Sequence, residues 1–226
     1  MGMYSDNRPQ SNPLESIHND SLSYLAIFYK ELLNNDVFNR QYANRFADLM
    51  NTIFLESEYL PIFDKLKNEM QIEMYRHCDR WNMSYNGWLS GSNTSRISDF
   101  IKERSPYMRS FLRERYQWGA NDTLVLSVSP EGKGRIKLNT ITITDNNWQG
   151  LYFDSIPVAI EAIPNPGFEF VGWESPTSPS LADSGRIIHT YYLKSFDNIK
   201  ALFYSPSGIE DTLDIAITEF NYREWE

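Results

Sequence analysis

The spacing of apolar residues changes once along this chain, close to residue 119. Before that point they recur three, four or seven positions apart, which is typical of one face of a helix. This period predicts helices over about residues 22–33, 37–54, 61–81 and 94–116. From Thr123 onward apolar and polar residues alternate, which is typical of strands. The pattern predicts an α+β chain: an N-terminal all-α domain followed by a small all-β module, either a sandwich or a grasp-like sheet.

Proline, glycine and polar clusters place the boundaries of these elements and domains. We expect an irregular lead-in over residues 1–20, a helical domain over 21–118 and a β module over 119–205. Residues 206–226 are expected to form a linker and the start of a further domain, cut short within Leu-Asp-Ile-Ala-Ile-Thr-Glu-Phe-Asn-Tyr. Ser105 followed by Pro106 predicts a break in the last helix, since serine caps helices and proline suits the first turn. Residues 83–93 are predicted to be a loop.

Charge and hydropathy narrow the classes of partner. Lysines and arginines number 14 against 15 acids through Trp118, but 7 against 15 afterwards, so the β half carries most of the net charge of −9. This balance disfavours nucleic acid, whose phosphates are bound by basic surfaces. The longest apolar runs are far shorter than the roughly 18 residues that a membrane span requires. The single cysteine, Cys78, excludes an internal disulfide.

Three short motifs resemble chemical sites, and each has a plain structural explanation. Gly132-x-Gly134 could cradle phosphate, but a third glycine is missing and a hairpin turn explains the pair. The run from Asp145 to Gly150 imitates the front of a calcium loop, whose closing glutamate is replaced by Ile156. His77, Cys78 and Asp79 are adjacent, so on a helix they point in different directions; His77 is expected to be a core residue. We predict no catalytic, cofactor or metal residue in this chain.

Several aromatic residues of the β half could instead form a binding surface. A platform of rings can stack on sugars, and the same residues could equally pack inside the sheets. The candidates for such an interaction surface are Trp148, Tyr152, Tyr191 and Tyr192. Trp173 also belongs to this aromatic group, but it follows a shift in alternation at Val171-Gly172. We therefore predict that Trp173 is buried.

The helical half resembles the C-terminal part of spore-coat-protein-H-like (CotH) proteins, which are atypical, secreted or envelope-associated protein kinases. The resemblance is carried by the segments Leu-Leu-Asn-Asn-Asp-Val-Phe at 32–38, Arg-Phe-Ala-Asp-Leu-Met-Asn at 45–51, Glu69-Met70, His77, Arg80-Trp81, Trp88, Ile97, Phe100 and Arg-Ser-Pro at 104–106. The family's ATP and metal ligands lie upstream, around a Trp-Asp-x-Asp sequence. Asp6-Asn7 does not match that sequence, so the resemblance implies ATP and a divalent metal only for an upstream part.

The β half looks like a divergent internalin-type B-repeat, an extracellular module of bacterial surface proteins. This resemblance rests on Gly132 and Gly134, on Ala-x-Glu-Ala-Ile-Pro at 159–164, on Ala-Leu-Phe at 201–203 and above all on Gly-Phe-Glu-Phe-Val-Gly-Trp at 167–173. The run at 213–222 weakly resembles the entry strand of a lamin-tail-like domain. Together these similarities imply an extracellular or cell-envelope location, with a signal sequence upstream.

Two functions remain open from the sequence. In the first, the chain is the C-terminal part of a CotH-like kinase, lacks the catalytic centre, and supports and displays other parts; its partner is the upstream kinase-like part of the same protein. In the second, the β module binds a glycan or a surface protein, and the helices form a stalk with no link to phosphorylation.

Overall fold

The computed structural model describes residues 8–178, 181 and 187–206, apart from the side chains of Ser92 and Asn93. It divides into two compact units. The first consists of the chain up to Asn121 together with Phe153–Ile156, and the second of Asp122–Tyr152 and the chain from Pro157 onward. The first unit is helical and the second carries two β-sheets, so the predicted α+β class is confirmed. The run at 213–222 lies outside the described residues.

The helical unit contains α1 to α6. Their bounds are Pro13–Asn19, Tyr24–Leu33, Asp36–Asn51, Glu56–Arg80, Tyr85–Ser90 and Ser92–Tyr116. Asn12 and Asn35 begin α1 and α3, because each side chain accepts a hydrogen bond from a backbone amide of the first turn. The core uses small residues where the helices approach closely, with Ala43 and Ala47 fully buried, and Leu112 buried from α6.

Four details of the helical unit differ from the expectations. The lead-in contains α1, and the predicted loop at 83–93 contains α5. Helix α4 begins at Glu56 rather than after Pro61, and α6 continues through Pro106 without a break. The Ser105 hydroxyl does not cap a helix: it donates to the carbonyl oxygen of Phe54 at 2.8 Å. Tertiary contacts therefore outweigh the local preference of proline for helix starts.

The β unit contains β1 to β8. Their bounds are Asn121–Ser129, Gly134–Leu138, Ile141–Ile143, Trp148–Phe153, Val158–Pro164, Glu169–Glu174, Ile188–Tyr191 and Phe196–Tyr204. One sheet has the order β4-β1-β8-β6, with β1 parallel to β8, and the other has the order β3-β2-β5-β7. β2 contacts β8 and β5 contacts β6, so the two sheets pack together as a sandwich.

Alternation places the core of the sandwich. Leu124 and Leu126 of β1, Ile136 and Leu138 of β2, and Ile199 of β8 are buried, while their neighbours in sequence are mostly more exposed. The predicted burial of Trp173 is confirmed, because only 2% of the residue is exposed. The shift that was predicted beside it is a register irregularity between Phe170 and Gly172.

Candidate functional site

A chain of hydrogen bonds joins four helices of the helical unit. His18 Nε2 lies 3.0 Å from the Tyr116 hydroxyl, which lies 2.6 Å from the Tyr29 hydroxyl. Tyr29 in turn donates to the Tyr42 hydroxyl at 2.8 Å. These residues come from α1, α6, α2 and α3, and their rings also contact one another. We call this group the tyrosine network.

The tyrosine network holds its protons at neutral pH. Burial, and then the hydrogen bond to Tyr29, raises the pKa of both Tyr42 and Tyr116 well above the ordinary value. Burial, followed by the charges of Arg115 and Lys30, lowers the pKa of His18. A neutral imidazole and protonated phenols share hydrogen bonds without a buried charge. The network is therefore suited to fixing helices rather than to supplying a nucleophile.

The end of α6 is anchored to α3 beside this network. Trp118 donates from Nε1 to Asn39 Oδ1 at 2.8 Å and stacks on Tyr116 with ring centroids 4.8 Å apart. Its other neighbour, Phe153, lies 5.1 Å away between centroids. Trp118 is buried, and its one polar atom is satisfied, as a buried indole requires. Trp118, just after α6, is thus packed into the helical unit.

Two arginines of α6 bind backbone carbonyl oxygens. Arg104 Nη1 donates to the carbonyl oxygens of Pro9 and Ser11, each at 2.8 Å. Arg113 donates to the carbonyl oxygen of Gly119. A guanidinium offers five donors in a fixed fork, so it can satisfy several carbonyl oxygens that end a segment. These two arginines thus stabilise the backbone before α1 and after α6.

The four aromatic residues predicted as an interaction surface do not share one. Tyr152 is fully buried, so its assignment to a surface is wrong. Trp148 and Tyr191 are partly exposed as whole residues, but burial and the charge of Asp197 raise the pKa of Tyr191, and its hydroxyl is buried. Tyr192 is 61% exposed. Trp148 and Tyr152 belong to one sheet and Tyr191 to the other, so alternation alone could not show that they are separated.

The glycines of the Gly132-x-Gly134 motif have separate structural roles. Gly132 has a φ of +74° in the turn between β1 and β2, and its carbonyl oxygen accepts from Asn165 at 2.7 Å. Gly134 lies under the ring of Phe203, which a Cβ atom would meet at 2.3 Å. Turn geometry and close packing thus account for both residues.

The calcium-like run and the cluster at His77 also have structural explanations. In the calcium-like run, Asn146 Oδ1 accepts from the backbone amide of Val128 at 3.0 Å, which ties the turn to β1. His77 was expected to be a core residue, and this was wrong: His77 is exposed and Cys78 beside it is buried. Within the described residues, no group of three or more histidines, cysteines or acids could hold a metal ion.

The reason for the error at His77 is that the apolar stripe of α4 faces solvent. Its members recur at helical spacing on one side of the helix and are between 36% and 62% exposed: Tyr59, Ile62, Leu66, Met70 and Trp81. We call these five residues the α4 stripe. Periodicity showed that they share a face but not whether another element covers it.

A second group of exposed apolar residues lies at α2. Leu22 and Tyr24 are each 89% exposed, Leu25 is 80% exposed and Phe28 is 62% exposed. Scattered apolar residues are normal at protein surfaces, whereas contiguous ones mark contact sites. The helical unit therefore presents more apolar surface than its own fold requires. Among the described helices, none is long and apolar enough to cross a membrane.

The family model described as CotH kinase protein matches residues 5–118, which is half of the chain. This chain belongs to the CotH kinase protein family. The match ends at Trp118, two residues after the end of α6, so it coincides with the helices of this CotH protein and does not include its β unit. The predicted relationship of the helical half to the CotH family is confirmed. No curated protein and no solved structure shows a significant match to the chain.

Proposed function

We propose that this CotH-family chain supports and positions other protein segments rather than transferring phosphate itself. In this proposal the helical unit binds the nucleotide-binding part of a CotH kinase, and the β unit binds a partner at the cell envelope or outside the cell. The observation that carries the proposal is the α4 stripe, a row of large apolar side chains left exposed on a 25-residue helix. Such rows on soluble proteins mark sites of protein contact.

The size of the α4 stripe indicates what kind of partner suits it. Fully burying one such side chain contributes about 1.5 to 3 kcal/mol, so five half-exposed ones contribute about 4 to 7 kcal/mol. Two separate proteins lose about 4 to 15 kcal/mol of translational and rotational freedom on association. The stripe alone therefore stabilises a contact best when both partners belong to one polypeptide, where the effective concentration is high. A kinase part of the same protein satisfies this condition.

The β unit supports the second half of the proposal. The run at 167–173, on which the internalin-type resemblance rests, forms the turn before β6, the register irregularity and the buried Trp173. Ile188 and Tyr192 are two of the exposed large apolar residues, and both belong to the segment around edge strand β7. An open strand edge with apolar side chains can add a strand from another protein. We propose a protein ligand here rather than a sugar, since Tyr192 is the only one of the four candidate aromatics that is mostly exposed.

The test of the helical unit uses the α4 stripe directly. The full chain is titrated by calorimetry with a recombinant catalytic segment of a CotH kinase. Leu66→Asp adds a charge to the stripe, and we expect at least a tenfold loss of affinity. Asn68→Asp is the matched control, because Asn68 is exposed on the same helix but lies roughly opposite Leu66. Equal binding by the two variants would contradict the docking role.

The non-catalytic role has its own test. The purified chain is incubated with labelled ATP, magnesium or manganese, and a generic acceptor protein. Phosphoryl transfer depends on a metal and positioned groups that neutralise charge on the nucleotide. We expect no phosphate incorporation above that of a heat-denatured sample. Metal-dependent incorporation that persists in an Asp6→Ala, Asn7→Ala double variant would overturn the proposal.

A further inference from the structure

An apolar cavity lies within the helical unit. Of the residues that line it, Tyr59 alone also belongs to the α4 stripe. The cavity is a partly open cleft lined by residues of α3, the start of α4 and α6, and its volume is about 310 Å³. Four aromatic residues and two methionines form most of its wall: Phe46, Phe54, Tyr59, Phe100, Met50 and Met108. Binding sites for small molecules have volumes of about 300 to 1,000 Å³ and are lined mainly by apolar groups. This cavity meets both conditions at the lower end of the range.

One cationic side chain, Arg104, also lines the cavity. Its guanidinium carbon lies 5.3 Å from the ring centroid of Phe100 and 5.9 Å from that of Phe111. Nη1 donates to the carbonyl oxygens of Pro9 and Ser11, and among the described residues Nε and Nη2 have no hydrogen-bond acceptor. No carboxylate of the described residues pairs with Arg104. An anion that enters the cavity would therefore find unused donors of opposite charge at its wall.

The partial burial of Arg104 favours the binding of an anion beside it. Burial lowers the pKa of Arg104, because a charge removed from water is less stable when no acid compensates it. The aromatic rings beside the guanidinium offset only part of the loss of hydration of its charge. A carboxylate can accept two parallel hydrogen bonds from the same guanidinium and offset more of it. The polar contact would lie at Arg104, and an aliphatic chain would lie along the aromatic and methionine walls. Methionine side chains adapt to flexible ligands of this kind.

We propose that this cavity binds a free fatty acid of medium chain length, with its carboxylate on Arg104. An engineered apolar cavity of about 150 Å³ holds benzene, which has six heavy atoms. A cavity of twice that volume therefore holds about twelve heavy atoms, the number in decanoate. The inference is independent of the proposed docking role, since it rests on the cavity and on Arg104.

The test compares ligands that share a chain but differ in charge. Decanoate, decanol and decyltrimethylammonium are each titrated into the full chain by calorimetry, below their micelle concentrations. We expect decanoate to bind with a micromolar Kd, decanol at least tenfold more weakly, and the ammonium compound not at all. This comparison uses the unaltered chain, so it does not depend on how any variant folds. Equal binding of decanoate and decanol would overturn the role of Arg104.

Variants then locate the site. Arg104→Gln should weaken decanoate binding at least tenfold, and Arg96→Gln is the matched control, since Arg96 is exposed on the same helix. Met108→Trp fills the cavity without altering the guanidinium and should also abolish binding. Circular dichroism of each variant confirms folding before titration. Decanoate binding that survives Met108→Trp, or that is absent from the unaltered chain, would overturn the proposal.

Discussion

Trp173→Ala is the substitution that tests the core of the β unit most directly. Trp173 lies on β6 opposite Ala201 of β8, and its ring centroid lies 5.2 Å from that of Phe170. Phe170 in turn contacts Phe203, with centroids 6.0 Å apart. With 2% of its surface exposed, the residue gives up nearly all its solvent contact on folding. Alanine would leave a cavity the size of an indole ring between these aromatic neighbours.

The expected cost follows from this burial. A buried tryptophan removes about 200 Å² from water, which corresponds to about 5 kcal/mol at 25 cal/mol per Å². The unfolded chain already buries a tenth to two fifths of such surface, so the net value is about 3 to 4.5 kcal/mol. Substitutions of large buried aromatics by alanine cost about 3 to 5 kcal/mol, in agreement with this figure. We therefore expect a loss of about 3 to 5 kcal/mol in the free energy of unfolding of the β unit.

The measurement is native-state hydrogen exchange on the full chain, followed by mass spectrometry, because it reports the two units separately. Protection of β1, β6 and β8 should fall by the expected amount, while protection of α3 and α6 stays unchanged. Val171→Ala is the matched control: Val171 is 59% exposed on the same strand, and its loss should stay within about 0.5 kcal/mol. A loss below about 1 kcal/mol for Trp173→Ala would refute the reasoning and place the indole outside the core.

Three further predictions concern the helical unit, each measured by thermal or urea unfolding. Gly119→Ala should destabilise by at least about 1 kcal/mol, because Gly119 has a φ of +69° and a Cβ atom would overlap Asp154 Oδ1; an unchanged midpoint would contradict this. Tyr29→Phe should cost about 1 to 3 kcal/mol, since it removes the two hydrogen bonds that join Tyr29 to the hydroxyls of Tyr42 and Tyr116. A neutral effect would show that water replaces these bonds. The lowered pKa of His18 means that the unfolded chain binds the proton first. The stability that His18 contributes is therefore complete above about pH 6.5 and is lost as the pH falls through the pKa of His18 in the folded chain. His18→Gln should reduce this pH dependence of stability, and an identical pH profile for the variant would exclude a contribution from His18.

Local signals predicted the ends of several elements. The turn at Gly132 was predicted from the glycine itself, and the structure places Gly132 there with a positive φ. The shift beside Gly172 was visible because one extra residue interrupts a period of two. Where the signal was proline, as at Pro61 and Pro106, the prediction was wrong, since the helices accept the loss of one hydrogen bond when the rest of the helix is packed.

Local patterns also could not predict which residues of the candidate sites are exposed. Tyr152 and Tyr192 were both candidates for an interaction surface, but one is fully buried and the other is exposed. Which face of a strand is covered depends on the sheet that packs against it, and the parallel pairing of β1 with β8 joins residues some 70 positions apart. The chemistry of Arg104 was also invisible, because it arises from carbonyl oxygens of residues 9 and 11 and from a cavity between three helices.

By itself, the sequence determined the α+β class, the helical and strand-rich halves, and the relationship to the CotH family, since all three depend on periods and motifs within short segments. Tertiary structure alone decided which apolar faces are covered: Trp173 is buried, whereas the α4 stripe is exposed within the described residues. The physical reason is that a periodic apolar pattern indicates only that burial of that face is favourable. Whether that burial occurs depends on a second surface, which is distant in sequence or belongs to another segment.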